Sequence, residues 1–150
     1  MAKRFQFRFE TMLKLRRRRE DEHKQVVAER LRQIRAVREK IASLEDQVQQ
    51  QTDAIRGHTS AGTIDLQQVM RNRHWLGHLH KGILEAQART RFLEARLAQE
   101  RVQLAEAAKQ RRMLEKLKER QQERYTHEQN HRDTRELDEM ATVRFVYEQK

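Results

Sequence analysis

Residues 27–55, VAERLRQ IRAVREK IASLEDQ VQQQTDA I, decide the fold because every seventh position in them is β-branched. These positions are Val27, Ile34, Ile41, Val48 and Ile55. An apolar residue at this interval keeps one seam of an α-helix facing a partner helix, as in a coiled coil. The second position of the same seam is mixed, and it is occupied by Arg30, Val37, Leu44 and Gln51.

The downstream half carries a second seam, in which apolar and a few polar residues alternate by three and four. Its positions are Leu76, Leu79, Ile83, Ala86, Thr90, Leu93, Leu97, Glu100, Leu104, Ala107, Arg111, Leu114, Lys118, Gln121 and Tyr125. Disordered charged segments do not keep such a register over this distance. Both halves are therefore predicted to be coiled-coil helices.

Small polar residues and two glycines separate the halves, in the stretch GHTSAGT from Gly57 to Thr63. Gly57 can end the first helix in a left-handed cap, and Thr63 or Asp65 can cap the second. A connection this short returns the chain beside itself. The prediction is one all-α domain over 1–150, an antiparallel two-helix coiled-coil hairpin. Helix one spans about 9–56, the turn 57–64 and helix two about 65–140, with residues beyond roughly 120 overhanging unpaired.

The composition limits the function. Charged residues make up 37% of the 150 positions, and there is no cysteine, so neither a disulfide framework nor cysteine ligation of a metal is available. No apolar run approaches the roughly 20 residues of a membrane span, and the N-terminus lacks the apolar core of a signal peptide. We expect a cytoplasmic protein without a transmembrane segment.

Catalytic motifs are also missing from the sequence. It contains neither a phosphate-binding loop nor a nucleophile elbow, and its carboxylates interleave with Lys and Arg at helical spacing. Two histidine pairs lie one turn apart, His74 with His78 and His127 with His131, but a metal site needs further ligands. The prediction is that the protein is not an enzyme and binds no cofactor or metal.

The net charge of +10 is concentrated near the N-terminus, in Lys3, Arg4, Arg8, Lys14 and Arg16–Arg19. Antiparallel folding brings this segment beside about residues 102–118, which contain Lys109, Arg111, Arg112, Lys116 and Lys118. Basic residues would then face basic residues at the open end of the hairpin, and an acidic partner would relieve the repulsion. The alternative is that these arginines are simply solvated.

Nucleic acid is the other partner that the charge suggests. A leucine-zipper factor needs a parallel dimer and a base-contacting asparagine in its basic helix, but the first asparagine here is Asn72. Specific DNA recognition is not expected, while salt-sensitive nonspecific binding stays open.

Both ends of the chain carry apolar clusters. Phe5, Phe7 and Phe9 precede Leu13, and such a cluster either packs on helix two or anchors a partner. At the other end, an acidic stretch precedes an apolar one in the unpaired overhang. We predict a partner-binding tail there that includes Leu137, Met140 and Phe145.

Four segments carry a resemblance to a known family. The opening Phe7, Phe9, Leu13, Leu15 and Arg16 resembles the start of the flagellar export protein family called FliJ. Glu136–Ala141 is similar to that family's tail, Ser60-Ala61-Gly62 to its turn, and Trp75–Leu79 to the apolar stretch after the turn. The order of the four and the chain length also fit.

The resemblance implies a cytoplasmic part of the flagellar type III export apparatus, peripheral on the inner membrane through its partners. It implies a coiled coil similar to the gamma-subunit stalk of rotary ATP synthases. The open end would enter the export ATPase ring, the region near the turn would contact the cytoplasmic domain of the export gate, and the protein would escort export chaperones.

The implied binding residues form two groups. The ATPase-binding residues are Phe7, Phe9, Leu13, Arg16, Arg17, Arg18, Arg19, Arg111 and Arg112, whose arginines would face acidic residues of the ring. The gate-binding residues are Leu44, Trp75, Leu79 and Gly82. One departure is that other members place aromatics where this chain has Gln47 and Gln51. The alternatives are the equivalent stalk of a virulence secretion system, or a basic coiled-coil scaffold or nucleic-acid-binding protein.

Overall fold

A computed structural model describes residues 4–60 and 62–149, leaving out the side chains of Thr59 and Ser60. It contains two long helices packed against each other, α1 (Glu10–Ser60) and α2 (Leu66–Glu148). Between residues 4 and 149, with Ala61 excepted, no β-strand occurs. The prediction of an all-helical hairpin is confirmed. Lys3 of the predicted basic cluster and Ala61 of the predicted turn lie outside the described residues.

Asp65 caps the start of α2. Its Oδ1 accepts hydrogen bonds from the backbone N–H groups of Gln67 at 3.0 Å and Gln68 at 3.4 Å. Each helix begins with backbone donors that have no partner within the helix, and a side-chain oxygen at this position satisfies two of them. Of the two capping residues that the sequence suggested, the structure uses Asp65.

The turn differs from the prediction at Gly57. Helix α1 continues through Gly57 to Ser60, and the residue with a positive φ is Gly62, at 78°. A glycine inside a helix costs only about 1 kcal/mol relative to alanine, so it does not by itself end a helix. A left-handed backbone angle penalises a residue with a Cβ, which explains glycine at position 62.

Helix α2 extends further than predicted, to Glu148 rather than about residue 140. Strong helix formers continue beyond residue 120, and Arg144 pairs with Glu148 one turn on at 3.1 Å. Every described residue from Asn130 to Gln149 is exposed. We call residues 130–149 the tail.

The chain divides into two compact units, and each contains part of both helices. The first, Glu22–Leu104, is built on an apolar core of Ile34, Leu93 and Leu97, against which Val27 and Val37 pack. These are seam positions of both predicted heptad patterns. Arg30 pairs with Glu100 and Arg38 with Glu94, so the two helices of this unit run antiparallel.

The second unit combines the residues up to Asp21 with those from Ala105 onward. Leu13 is fully buried there and Phe7 is nearly so. Glu10 pairs with Lys118 and Arg17 with Glu115, which again requires antiparallel helices. Neither helix, as far as it is described, is apolar over enough of its length to cross a membrane.

Candidate protein-binding surfaces

The aromatic residues before α1 pack against α2. The rings of Phe5 and Tyr125 lie 5.7 Å apart, and Phe7 meets Phe9 edge to face at 5.8 Å. Phe7 is 7% exposed and Leu13 is 0% exposed, so these two predicted ATPase-binding side chains are covered by the hairpin itself. Phe9 is half-buried, with the Arg8 guanidinium 5.7 Å from its ring centre. Of the three apolar residues predicted for this surface, only Phe9 offers a surface to a partner.

The expectation that basic residues face basic residues at the open end is wrong. Lys118 donates a hydrogen bond to Glu10 at 2.8 Å, and Arg17 donates two to Glu115, at 3.3 and 3.2 Å. Arg111 forms ion pairs with both Glu20 and Glu115. The glutamates between the cations therefore neutralise much of the charge where the helices meet.

These pairs shift the ionisation of their members. The hydrogen bond from Lys118, against a smaller opposing effect of burial, lowers the pKa of Glu10. The hydrogen bond to Glu20, aided by the charges of Glu115 and Glu20, raises the pKa of Arg111. Glu10 and Arg111 are therefore charged near neutral pH, and the open end is held by ion pairs as well as by Leu13 and Phe7.

The remaining predicted arginines differ in how far a partner can reach them. Arg16 is half-buried and donates a hydrogen bond to Gln110. Arg17, Arg18, Arg19 and Arg112 are exposed. Four of the predicted arginines are thus exposed at the open end, and one of them, Arg17, pairs with Glu115.

The four predicted gate-binding residues lie together. Leu44 of α1 and Trp75, Leu79 and Gly82 of α2 line one groove of about 310 Å³. Leu79 is 2% exposed and Trp75 is 44% exposed. A Cβ at Gly82 would lie 3.4 Å from Cδ1 of Leu44, so glycine allows close contact between the helices here. The groove has a buried aliphatic floor and a half-exposed aromatic wall.

Charged and polar residues outside the predicted gate-binding group complete this groove. They are Lys40, Gln47, His78, Lys81 and Glu85. His78 contacts the ring of Trp75 with centroids 5.5 Å apart, and Lys81 lies 3.9 Å from Glu85. Four of these positions are one helical turn from a predicted residue: Lys40 and Gln47 from Leu44, His78 from Trp75, and Glu85 from Gly82. The sequence could have predicted these residues as members of the groove, because residues three and four positions apart lie side by side on a helix.

The predicted tail residues are all exposed but do not share one face. Leu137, Met140 and Phe145 are 66%, 67% and 62% exposed. With 3.6 residues per turn, Leu137 and Met140 lie on the same side of α2, whereas Phe145 is rotated by roughly 140° from Met140. Val143 and Tyr147 lie nearer to the side of Met140, and both are exposed. We call Leu137, Met140, Val143 and Tyr147 the tail stripe.

The two predicted histidine pairs differ in the contacts that their rings make. The rings of His127 and His131 are in edge-to-face contact at 4.8 Å, while His78 contacts Trp75. Among the described residues, no group of three or more metal-ligating side chains occurs. The first surface is thus a set of exposed cations, and the second is an apolar groove with a polar rim, a composition that many protein interfaces share.

The sequence matches the model of a protein family described as "Flagellar FliJ protein" over residues 5–150. No curated protein and no solved structure matches the chain.

Proposed function

Because the chain belongs to the FliJ family of flagellar proteins and is thus associated with flagellar export, we propose that it acts as a stalk of the export apparatus. Its open end docks in the ring of the export ATPase and stimulates ATP hydrolysis. The observation that carries this proposal is the family match over nearly the whole chain, from residue 5 to residue 150. The match favours the flagellar system over the virulence system that the sequence left open.

The chemistry of the open end supports docking by charge. Four of its predicted arginines are exposed, namely Arg17, Arg18, Arg19 and Arg112. The side chains of Phe7 and Leu13 are instead buried inside the hairpin. Charged contacts depend less on close shape complementarity than packed apolar contacts do, and they increase the rate of association. A ring lined with acidic residues could therefore bind this end without a deep apolar socket. The apolar contribution from the stalk would come from Phe9.

The groove at Trp75 supports a separate contact with the cytoplasmic domain of the export gate. A half-exposed tryptophan beside buried aliphatic residues is the usual composition of an energetic centre in a protein interface. Gln47, which lines the groove, contributes hydrogen-bonding capacity where the family resemblance led us to expect an aromatic residue. In this chain Trp75 therefore carries most of the aromatic contribution to the gate contact.

Escort of export chaperones completes the proposal, with the tail as the contact. The tail exposes apolar side chains along a long helix, and an apolar helical face favours a helical partner. On this proposal the protein is not an enzyme and resides in the cytoplasm, reaching the inner membrane only through its partners.

The experiment that tests the proposed function is ATP hydrolysis by the cognate export ATPase, with and without this protein, over a range of salt concentrations. We expect stimulation at a few stalks per ring that weakens as salt screens the charged contacts. Absence of stimulation at low salt would remove the stalk function. A steep salt-dependent affinity for DNA without any effect on the ATPase would favour the scaffold or nucleic-acid alternative.

A further inference from the structure

Helix α2 carries a second apolar stripe that the seam does not use. We call it the outer stripe, and it consists of Leu84, Ala88, Phe92, Ala95 and Val102. Leu84 is 66% exposed, Phe92 54% and Val102 70%. Leu84 and Val102 are separated by about five full helical turns, so they lie on the same side of the helix.

The outer stripe lies on the opposite side of α2 from the packed core. Leu93 and Leu97 face α1 and are 1% and 7% exposed, whereas neighbouring Phe92 and Ala95 face away from it. A helix that packs on one side only is normally polar on the other. Three large and two small apolar residues along the outer side, separated by three, four or seven positions, instead form an exposed apolar face that can receive another helix.

Charge borders the outer stripe and limits what can cover it. Arg89 places its guanidinium 5.5 Å from the ring centre of Phe92, and Arg91 and Arg96 lie along the same stretch. The acids nearby are engaged within their own hairpin, since Glu94 binds Arg38 at 2.7 Å and Glu85 lies 3.9 Å from Lys81. The surface therefore suits an amphipathic helix with acidic flanks.

The tail of the same protein has these properties. Its stripe of Leu137, Met140, Val143 and Tyr147 is exposed throughout. Acidic residues border the N-terminal part of the stripe, and over residues 130–149 acids outnumber arginines by five to three. The acids are Asp133, Glu136, Asp138, Glu139 and Glu148, and the arginines are Arg132, Arg135 and Arg144. The tail and the outer stripe thus each present an exposed apolar face, and the net negative charge of the tail opposes the arginines beside the outer stripe.

We propose that the tail stripe of one molecule docks on the outer stripe of a second copy of this chain. The contact is heterologous, because different surfaces of the two copies meet. It adds a third helix to the α1–α2 pair of the receiving molecule and covers Phe92 and Met140 together. Since the proposed function assigns the tail to export chaperones, self-association would compete with chaperone binding, although the contact itself does not depend on that function.

Sedimentation velocity of the full chain over a concentration series tests the contact. We expect association that strengthens with concentration and weakens with salt. Phe92→Glu and Met140→Glu should each weaken it at least about tenfold, because each places a charge in the apolar contact. Leu31→Glu, at an exposed apolar position of α1 outside both stripes, is the matched control and should leave association unchanged. All three positions are exposed, and circular dichroism checks that helicity is retained.

Mixing the two variants distinguishes this contact from other modes of association. The Phe92→Glu protein keeps an intact tail, and the Met140→Glu protein keeps an intact outer stripe. At a concentration where each weakened variant alone is monomeric, an equimolar mixture should therefore form a dimer and no larger species. Association of Phe92→Glu alone would indicate tail-to-tail pairing, and association of Met140→Glu alone would indicate stripe-to-stripe pairing. Either result, or a wild-type chain that stays monomeric up to about 100 µM, would overturn the proposal.

Discussion

Arg30 of α1 donates two hydrogen bonds to Glu100 of α2, from Nε to Oε2 at 3.1 Å and from Nη2 to Oε1 at 2.8 Å. Both residues occupy seam positions, and their side chains are only 16% and 10% exposed. The pair lies beside the apolar core of Ile34, Leu93 and Leu97 within the same unit. A charged layer inside an apolar seam disfavours other registers of the two helices, because a shifted register would leave each charge without its partner.

Replacing one member of this pair should destabilise the hairpin more than replacing both. Arg30→Leu and Glu100→Leu each leave a charge in the seam without its main partner. The loss should be smaller for Arg30→Leu, because Arg96 still lies 3.7 Å from Glu100. The double variant should be at least as stable as the wild type, since an apolar layer replaces the ion pair. Urea denaturation of the four proteins measures their free energies of unfolding, and a double variant less stable than the wild type would contradict the prediction.

Acidification should weaken the fold through Glu100 and Glu10. The hydrogen bond from Arg30 lowers the pKa of Glu100, and that from Lys118 lowers the pKa of Glu10. A carboxyl whose pKa is lower in the folded state binds fewer protons there than in the unfolded chain. Its contribution is therefore complete above the usual glutamate range, near pH 4.3, and is lost as the pH falls through the lowered folded value.

The free energy of unfolding, measured by urea denaturation from about pH 6 down to pH 3, checks this prediction. We expect a decrease on acidification that becomes shallower in the Glu100→Gln variant. A stability that is flat or increases over this range would show that the two ion pairs do not contribute.

Alanine substitutions at Gly57 and Gly62 should have opposite effects on stability. Gly57 lies inside α1 with open space around its Cβ position, so Gly57→Ala should stabilise the protein by about 0.5–1 kcal/mol. Gly62 has a φ of 78°, and Gly62→Ala should cost about 1 kcal/mol. Thermal denaturation of both variants and the wild type measures these changes in stability. Destabilisation by Gly57→Ala would mean that the first helix ends at Gly57, as the sequence alone suggested.

The heptads predicted the helices well because a seven-residue repeat of apolar residues has few other structural solutions. Ile34, Leu93 and Leu97 were predicted at the seam and form its core. The point where α1 ends was harder to predict, because one glycine costs a long helix little and cannot be distinguished from a cap by composition. Pairing of Arg30 with Glu100 was also missed, since each residue alone looks like a weak seam position.

The binding surfaces were predictable in part. The family resemblance brought Leu44, Trp75, Leu79 and Gly82 into one group, and they line one groove. The residues of the open end were predicted less well, because counting cations overlooked Glu10, Glu20 and Glu115 between them. Whether Phe7 and Leu13 would pack or stay exposed depends on tertiary contacts that the local sequence does not contain.

Trp75→Ala should weaken binding to the cytoplasmic domain of the export gate by about 2 kcal/mol, or roughly thirtyfold, as expected for an aromatic residue at the centre of an interface. Stimulation of the ATPase should be unchanged. Met70→Ala is a matched control, because Met70 is 63% exposed and does not line the groove. Isothermal titration calorimetry measures both affinities. Equal affinity of the Trp75→Ala variant and the wild type would place the gate contact elsewhere.

The most direct test of the stalk function is ATPase stimulation by variants that reverse exposed charge at the open end without breaking its ion pairs. Arg19→Glu combined with Arg112→Glu meets this condition better than changing Arg16–Arg19 together, because Arg17 binds Glu115. Arg35→Glu combined with Arg101→Glu changes the net charge equally, at exposed positions of the other unit. We predict that the first variant loses most of its stimulation at low salt while the second retains it. Equal stimulation by both, with helicity intact, would contradict docking through the open end.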